Sequence, residues 1–275
     1  MSTGIQSTKY IYVTSEHSEV VQGASIIESP VSLSVNAEVW LTFMCTPVDL
    51  EALAIGFLFN EGQIESQADI ADIRVCPGEE NVDVWLNRSI QKPDLWRRTS
   101  GCTGGLTGQT SSPAQAANRF TLSNGWGISS GQIHQLVGKL YEKQLLYQQS
   151  GGVHTSALSD GEDLVVYAED VGRHNTLDKL AGKMILQDLS IQHRIILTTG
   201  RLSSEMLQKA SRLGAPIVLS RTAPTSLSIQ LAEKWGITLI GYARRDRFNI
   251  YTHPHRILPS IKSSAEEVSY AQANL

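Results

Sequence analysis

Cys102 is the residue whose chemistry stands out first. It lies in a ten-residue run, TSGCTGGLTG at 99–108, that holds Gly101, Gly104, Gly105 and Gly108 and shows no periodicity. A cysteine that accepts a group from one molecule and hands it to another must be exposed, ionisable and free of neighbouring bulk. The glycines meet the last demand. Arg97 and Arg98, just upstream, favour a thiolate over a thiol whose unperturbed pKa is about 8.5. A surface cysteine in a linker has the same composition, so the residues alone leave both readings open. The other two cysteines, Cys45 and Cys76, sit in or beside apolar strand patterns and read as small buried hydrophobes. No CxxC or CxxH pair occurs, which speaks against structural zinc, and an odd count of three speaks against a disulfide framework.

Four further segments carry polar groups at places where a strand should hand over to a helix or loop. Residues 169–180, EDVGRHNTLDKL, put Glu169, Asp170, Arg173 and His174 in one such junction. Helix capping and salt bridging would use the same residues. GGVHTSA at 151–157 is a glycine turn with His154 among small residues, able to face the same pocket as His174. In TTGRLSSE at 198–205, backbone N–H groups, Ser203 and Arg201 could hold a phosphate, or Ser203 could simply cap a helix. Lastly, Tyr242, Ala243, Arg244, Arg245, Asp246 and Arg247 bring three arginines together at a strand end in a protein of net charge -4. Guanidinium forks match phosphate oxygens, and a tyrosine beside them can stack on a ring.

The elements that must position these groups follow from periodicity. Strands are expected over 32–35 and 39–43 with a turn at Asn36-Ala37, then a helix capped by Thr46 or Asp49 and ended by Glu61-Gly62. A second strand pair is expected at 73–76 and 82–86. After Trp126, strands alternate with helices: helix 129–149, strand 164–168, helix 175–189, strand 194–199, helix 203–213, strand 216–220, helix 225–235, and strands 238–242 and 248–252. That alternation predicts an α/β fold, a mostly parallel sheet with helices on both faces and ligands at the strand carboxyl ends. The expected divisions are a small α/β domain over 1–96, a glycine-rich loop carrying Cys102 over 97–125, and a larger α/β domain over 126–275.

The composition is 41% hydrophobic and 18% charged, ordinary for a globular protein, and the net charge gives no global reason to bind nucleic acid or membrane. The polar first residues lack the apolar core of a signal peptide, which predicts a cytoplasmic protein.

Taken together, these segments resemble the FdhD (NarQ) family of formate dehydrogenase accessory sulfurtransferases. The resemblance is carried by EDVGRHNTLDKLAG at 169–182, GGVHTSAL at 151–158, SSEMLQKA at 203–210, YTHPHRI at 251–257 and ALAIGFLFNEGQI at 52–64. It implies a cytidine deaminase-like three-layer α/β/α C-terminal domain and a homodimer. It implies a sulfur carrier that takes sulfane sulfur from a cysteine desulfurase as a persulfide on Cys102. The acceptor would be the molybdenum bis(molybdopterin guanine dinucleotide) cofactor, bound by residues 242–247, and the client formate dehydrogenase. The family commonly carries a CxxC pair in the loop, whereas Gly105 stands at the second position here, so Cys102 would act alone. Two rival readings make different demands on the sequence. A zinc deaminase needs an H-x-E helix start and PCxxC, whereas His154 is followed by Thr155-Ser156. A chaperone that binds the cofactor without carrying sulfur would share the arginines, and Cys102 discriminates the two.

Overall fold

The computed structural model describes residues 3–93, 96–98, 106–108 and 126–258. The chain opens with an antiparallel hairpin, β1 (Ile5–Val13) and β2 (Ser18–Ile26). No strand was expected there, because most side chains on both faces are solvent-exposed and the residues show no inside-outside alternation. β3 (Ser29–Val35) and β4 (Glu38–Cys45) follow, joined at Asn36 and Ala37 with φ of 50° and 69°. Two positive φ values at a two-residue connection are what the twist of a tight hairpin requires. After α1 (Leu50–Asn60), β5 (Ile70–Val75) and β6 (Asn81–Leu86) complete a four-stranded sheet of order β4-β3-β6-β5. Asp49 occupies the N-cap of α1, but its carboxylate pairs with Lys183 at 2.7 Å instead of capping.

β7 (Trp96–Arg98) and β8 (Leu106–Gly108) pair antiparallel, Arg98 opposite Leu106, and so bracket the segment that contains Cys102. The second half begins with β9 (Ile128–Ser129) and α2 (Ser130–Glu142), capped by Ser129 and Gln132 reciprocally. The helix expected to run to 149 breaks at Lys143-Gln144, where the Gln144 amide donates to the Thr155 hydroxyl, and resumes as α3 (Leu145–Ser150). Then come β10 (His154–Ser159), β11 (Leu164–Asp170), α4 (Arg173–Leu186), β12 (Ile195–Thr198), α5 (Ser204–Arg212), β13 (Ile217–Ser220), α6 (Ser226–Trp235), β14 (Thr238–Gly241), β15 (Asn249–Ile250) and β16 (Ile257–Leu258).

The central sheet has order β11-β10-β12-β13-β14-β15. Only the pairs β12–β13 and β13–β14 are parallel; β10 and β15 are antiparallel to their neighbours, so the sheet is more mixed than the alternation predicted. β10 was not anticipated as a strand because Thr155, Ser156 and Ser159 are polar yet fully buried. On one face, Ile133, Leu136, Val137 and Leu140 of α2 pack on Ile195, Leu197, Ile217, Leu219 and Ile240. On the other, α4, α5 and α6 cover Val166, Ile196, Val218 and Leu239, which gives the three layers.

The two halves share one core. α1 is buried at every residue except Glu51, because its α4 side and its sheet side are both covered. A helix enclosed in this way has no polar stripe to display. Gly56 of α1 and Gly182 of α4 sit where the two backbones meet: a Cβ on Gly56 would stand 1.6 Å from the Asp178 carbonyl oxygen, and one on Gly182 1.9 Å from that of Ala52.

Candidate functional site

The polar segments converge on one edge of the central sheet. Because β10 is antiparallel to β11, its first residue His154 lies opposite Asp170, the last of β11. The loops after β12, β13 and β14 open on the same edge. Buried hydroxyls tie them together: the Ser156 and Thr176 hydroxyls are 2.6 Å apart, and Ser156 donates to Thr198 at 2.8 Å. The Ser220 hydroxyl donates to the Gly200 carbonyl at 2.7 Å, and the Ala243 N–H donates to the Ser220 carbonyl at 2.9 Å. Small polar residues at strand ends therefore fix the spacing of three loops, which explains why a buried strand can read as TSALS.

All three carboxylates of the 169–180 segment are committed to architecture. Asp170, fully buried, accepts from Lys179 Nζ at 2.6 Å, Gly172 N at 2.7 Å, Asn175 Nδ2 at 2.9 Å and Thr46 N at 3.2 Å. Glu169 accepts from the first-turn N–H groups of α3, Leu146 at 2.8 Å and Tyr147 at 3.1 Å. Asp178 takes Lys209 Nζ at 2.6 Å and Asn60 Nδ2 at 2.8 Å. These contacts bind the end of β4, α1 and α5 to α4, and α3 to β11, so the capping and salt-bridging reading holds for all three acids. Ser203 likewise caps α5, accepting from Met206 N at 3.4 Å, while Arg201 beside it is exposed.

The histidines behave differently. His154 Nδ1 lies 3.3 Å from the Thr199 hydroxyl, and burial, reinforced by Arg173 and Arg201, holds its pKa below the ordinary value. His174 is 3% exposed, and neither ring nitrogen has a hydrogen-bond partner among the described residues. Burial first, then the positive charges of Lys209 and Arg173, push it down to about 3. His174 is thus a neutral imidazole at physiological pH. The spacing left open whether the two histidines meet; the structure places them within electrostatic reach of each other.

A pH dependence follows. In the unfolded chain His174 titrates near the ordinary histidine value of 6.5; the folded chain refuses that proton until about 3. The resulting stability is fully present above pH 6.5 and is lost as pH falls, by about 2 kcal/mol at pH 5. Urea unfolding at pH 7 and pH 5 should show this loss in the parent and a shallower one in His174→Gln. Equal slopes in the two proteins would rule it out.

Along the basic segment, Tyr242 is 46% exposed and held at φ 53°, a left-handed conformation unusual for a tyrosine. Ala243 is fully buried in the core. The Arg244 guanidinium donates to the carbonyls of Arg221 and Ala243, tying two loops. Arg245 is exposed without a carboxylate partner among the described residues, and Arg247 pairs loosely with Asp246 at 3.3 Å. Arg221, directly after β13, joins this cluster and was missed from sequence, since a single arginine in SRTAP has no local signal. Cys102 and Gly105 lie outside the described residues. Cys45 is buried, and desolvation pushes its thiol up to about 12, as suits an inert core residue. Cys76 is only half-buried, contrary to expectation, because it follows β5 and its sulfur faces Asn81 and Asp83 at 3.9 Å.

Residues 26–258 match the FdhD/NarQ family. The chain belongs to that family. Among its relatives, the sulfur carrier protein FdhD of Bacillus subtilis (strain 168) is 36% identical over 239 residues, covering 86% of this chain and 91% of that one. The protein of the same description from Staphylococcus aureus (strain MRSA252) is 34% identical over 238 residues, covering 86% and 89%. A crystal structure from Desulfotalea psychrophila, described as a formate dehydrogenase accessory protein, superimposes with a TM-score of 0.75 at 31% identity, covering 92% of this chain and 99% of that one. Every residue of the hairpin β1–β2 except its last, Ile26, precedes the family match. Among the described residues no helix is long and apolar enough to cross a membrane, and no three His, Cys, Asp or Glu side chains are grouped to hold a metal ion.

Proposed function

We infer that the protein carries sulfur on Cys102 and delivers it to a molybdenum bis(molybdopterin guanine dinucleotide) acceptor held at the arginine-lined edge of the central sheet. The observation that supports this best is that edge itself: Arg201, Arg221 and Arg245 converge on the strand carboxyl ends without carboxylate partners among the described residues, in a chain of net charge -4. Such a cluster suits the phosphates of a dinucleotide. The exposed Tyr242 adds a face on which a base can stack.

Sulfur loading is a thiol exchange. The Cys102 thiolate attacks the outer sulfur of a cysteine desulfurase persulfide, the donor S–S bond breaks, and the donor cysteine leaves as a thiolate. Onward transfer runs the same exchange in reverse roles: the acceptor attacks the outer sulfur with its own electron pair, the Cys102 S–S bond breaks, and the Cys102 thiolate leaves. With Gly105 where a resolving thiol would stand, no intramolecular disulfide within that loop can compete. Formate dehydrogenase is the client this reading implies, the cytoplasm the compartment and a homodimer the working state.

The test is mass spectrometry after incubation with a cysteine desulfurase and labelled cysteine. One sulfur should appear on Cys102 and none on Cys45 or Cys76, and Cys102→Ala should abolish activation of formate dehydrogenase in cells. Full activation by Cys102→Ala would replace sulfur carriage with a cofactor-binding chaperone.

A further inference from the structure

Two of the arginines that meet no carboxylate among the described residues are held by one ring. The Arg221 guanidinium carbon sits 4.4 Å from the centroid of Tyr141, and that of Arg245 sits 5.2 Å from the same centroid. Tyr141 projects from the last turns of α2, which runs up the opposite layer to reach this edge. Arg221 follows β13 and Arg245 follows β14, so three separate elements meet at the ring. The backbone is locked as well: the Arg221 carbonyl accepts from Arg244, and the Arg221 N–H donates to the Thr198 carbonyl at 3.1 Å.

Two guanidiniums fixed by one aromatic ring are at most about 10 Å apart, each attracted by the ring's negative face. They repel each other, and among the described residues neither meets a carboxylate. Among the described residues no carboxylate neutralises the pair, so an anion with charge spread over two centres is the complement the arrangement calls for. A diphosphate, with one phosphoryl group facing each fork, has that shape.

We propose that Arg221 and Arg245 form a fork for the diphosphate of a nucleotide, with Tyr141 as the positioning residue that sets their spacing. This rests on the reading of the arginine edge as the acceptor site, and it brings in Arg221 and Tyr141, which lie outside the 242–247 segment. A positioning role requires the ring and not the phenolic hydroxyl. The fork requires guanidinium geometry, so lysine is a poor substitute at position 221.

Titration calorimetry of the full chain with guanosine diphosphate, inorganic pyrophosphate and guanosine monophosphate tests this. Arg221→Ala should weaken diphosphate and pyrophosphate binding by roughly ten- to a hundredfold, and monophosphate binding much less. Arg221→Lys should remain weakened. Tyr141→Leu should lose about tenfold, while Tyr141→Phe should stay within about twofold of the parent. Thermal unfolding of each variant separates lost binding from lost folding. If Arg245→Ala weakens binding but Arg221→Ala and Tyr141→Leu do not, the fork is wrong and the acceptor edge stands. If the parent binds neither the diphosphate nor pyrophosphate, both are wrong.

Discussion

Replacing Gly56 by alanine is expected to lower the unfolding free energy by more than about 3 kcal/mol, beyond the range usual for overpacking. The added Cβ would stand 1.6 Å from the Asp178 carbonyl oxygen, 2.6 Å from its carbonyl carbon and 2.6 Å from Gly182 N. All three are backbone atoms inside α4, so no side chain can swing aside. The helices must part, and parting them opens space around Leu53 and Phe57, both essentially fully buried, and strains the Asn60–Asp178–Lys209 contacts. Gly182→Ala should behave alike, because its Cβ would meet Ala52 backbone at 1.9 Å. Gly138, on α2, is the control. Nothing lies within 4 Å of a Cβ there, and alanine should stabilise by up to about 1 kcal/mol through helix propensity. Urea unfolding followed by circular dichroism measures all three. Midpoints for Gly56→Ala and Gly182→Ala equal to the parent's would show that the two helices do not meet as described.

What the amino-acid sequence revealed of this fold was whatever rests on local rules. Asn36-Ala37 announces a tight hairpin, Ser203 and Thr225 announce helix starts, and the apolar period of 50–60 announces α1. The strands it concealed are those whose environment contradicts their composition: polar Thr155 and Ser156 buried in β10, and apolar Ile11, Val13 and Val20 exposed in the hairpin. The same limit applies to the site. Cys102 and the arginines of 242–247 stand out because their chemistry or clustering is visible in a short stretch. Asp170, Glu169 and Asp178 look equally reactive in the sequence, yet their partners Thr46, Leu146 and Asn60 are remote in the chain, so only the packed structure shows that they are committed. Arg221 was missed for the converse reason, since it gains meaning only beside Tyr141 and Arg245.

That commitment sets the second large effect. Removing either member of the Asp170–Lys179 pair should destabilise the protein by about 3–5 kcal/mol, because each leaves a charge buried without its counterion. Both side chains are fully enclosed, and the pair is only one of several contacts: Lys179 also donates to the carbonyls of Thr46 at 3.0 Å and Glu169 at 3.2 Å. The cost should therefore be non-additive. Asp170→Asn and Lys179→Met should each be severe, and the double variant should be less destabilised than the sum of the two, by about 0.5–3 kcal/mol of coupling. The effect should also reach the site, since Asp170 lies opposite His154 in register and fixes Gly172 and Asn175 at the start of α4, beside His174. Nucleotide binding measured on whatever fraction of Asp170→Asn remains folded should be weaker than in the parent. Strict additivity of the two substitutions in urea unfolding would mean that the pair does not act as a unit, and that the Asn60–Asp178 and Asp49–Lys183 contacts and the apolar packing of α1 on α4 hold the junction without it.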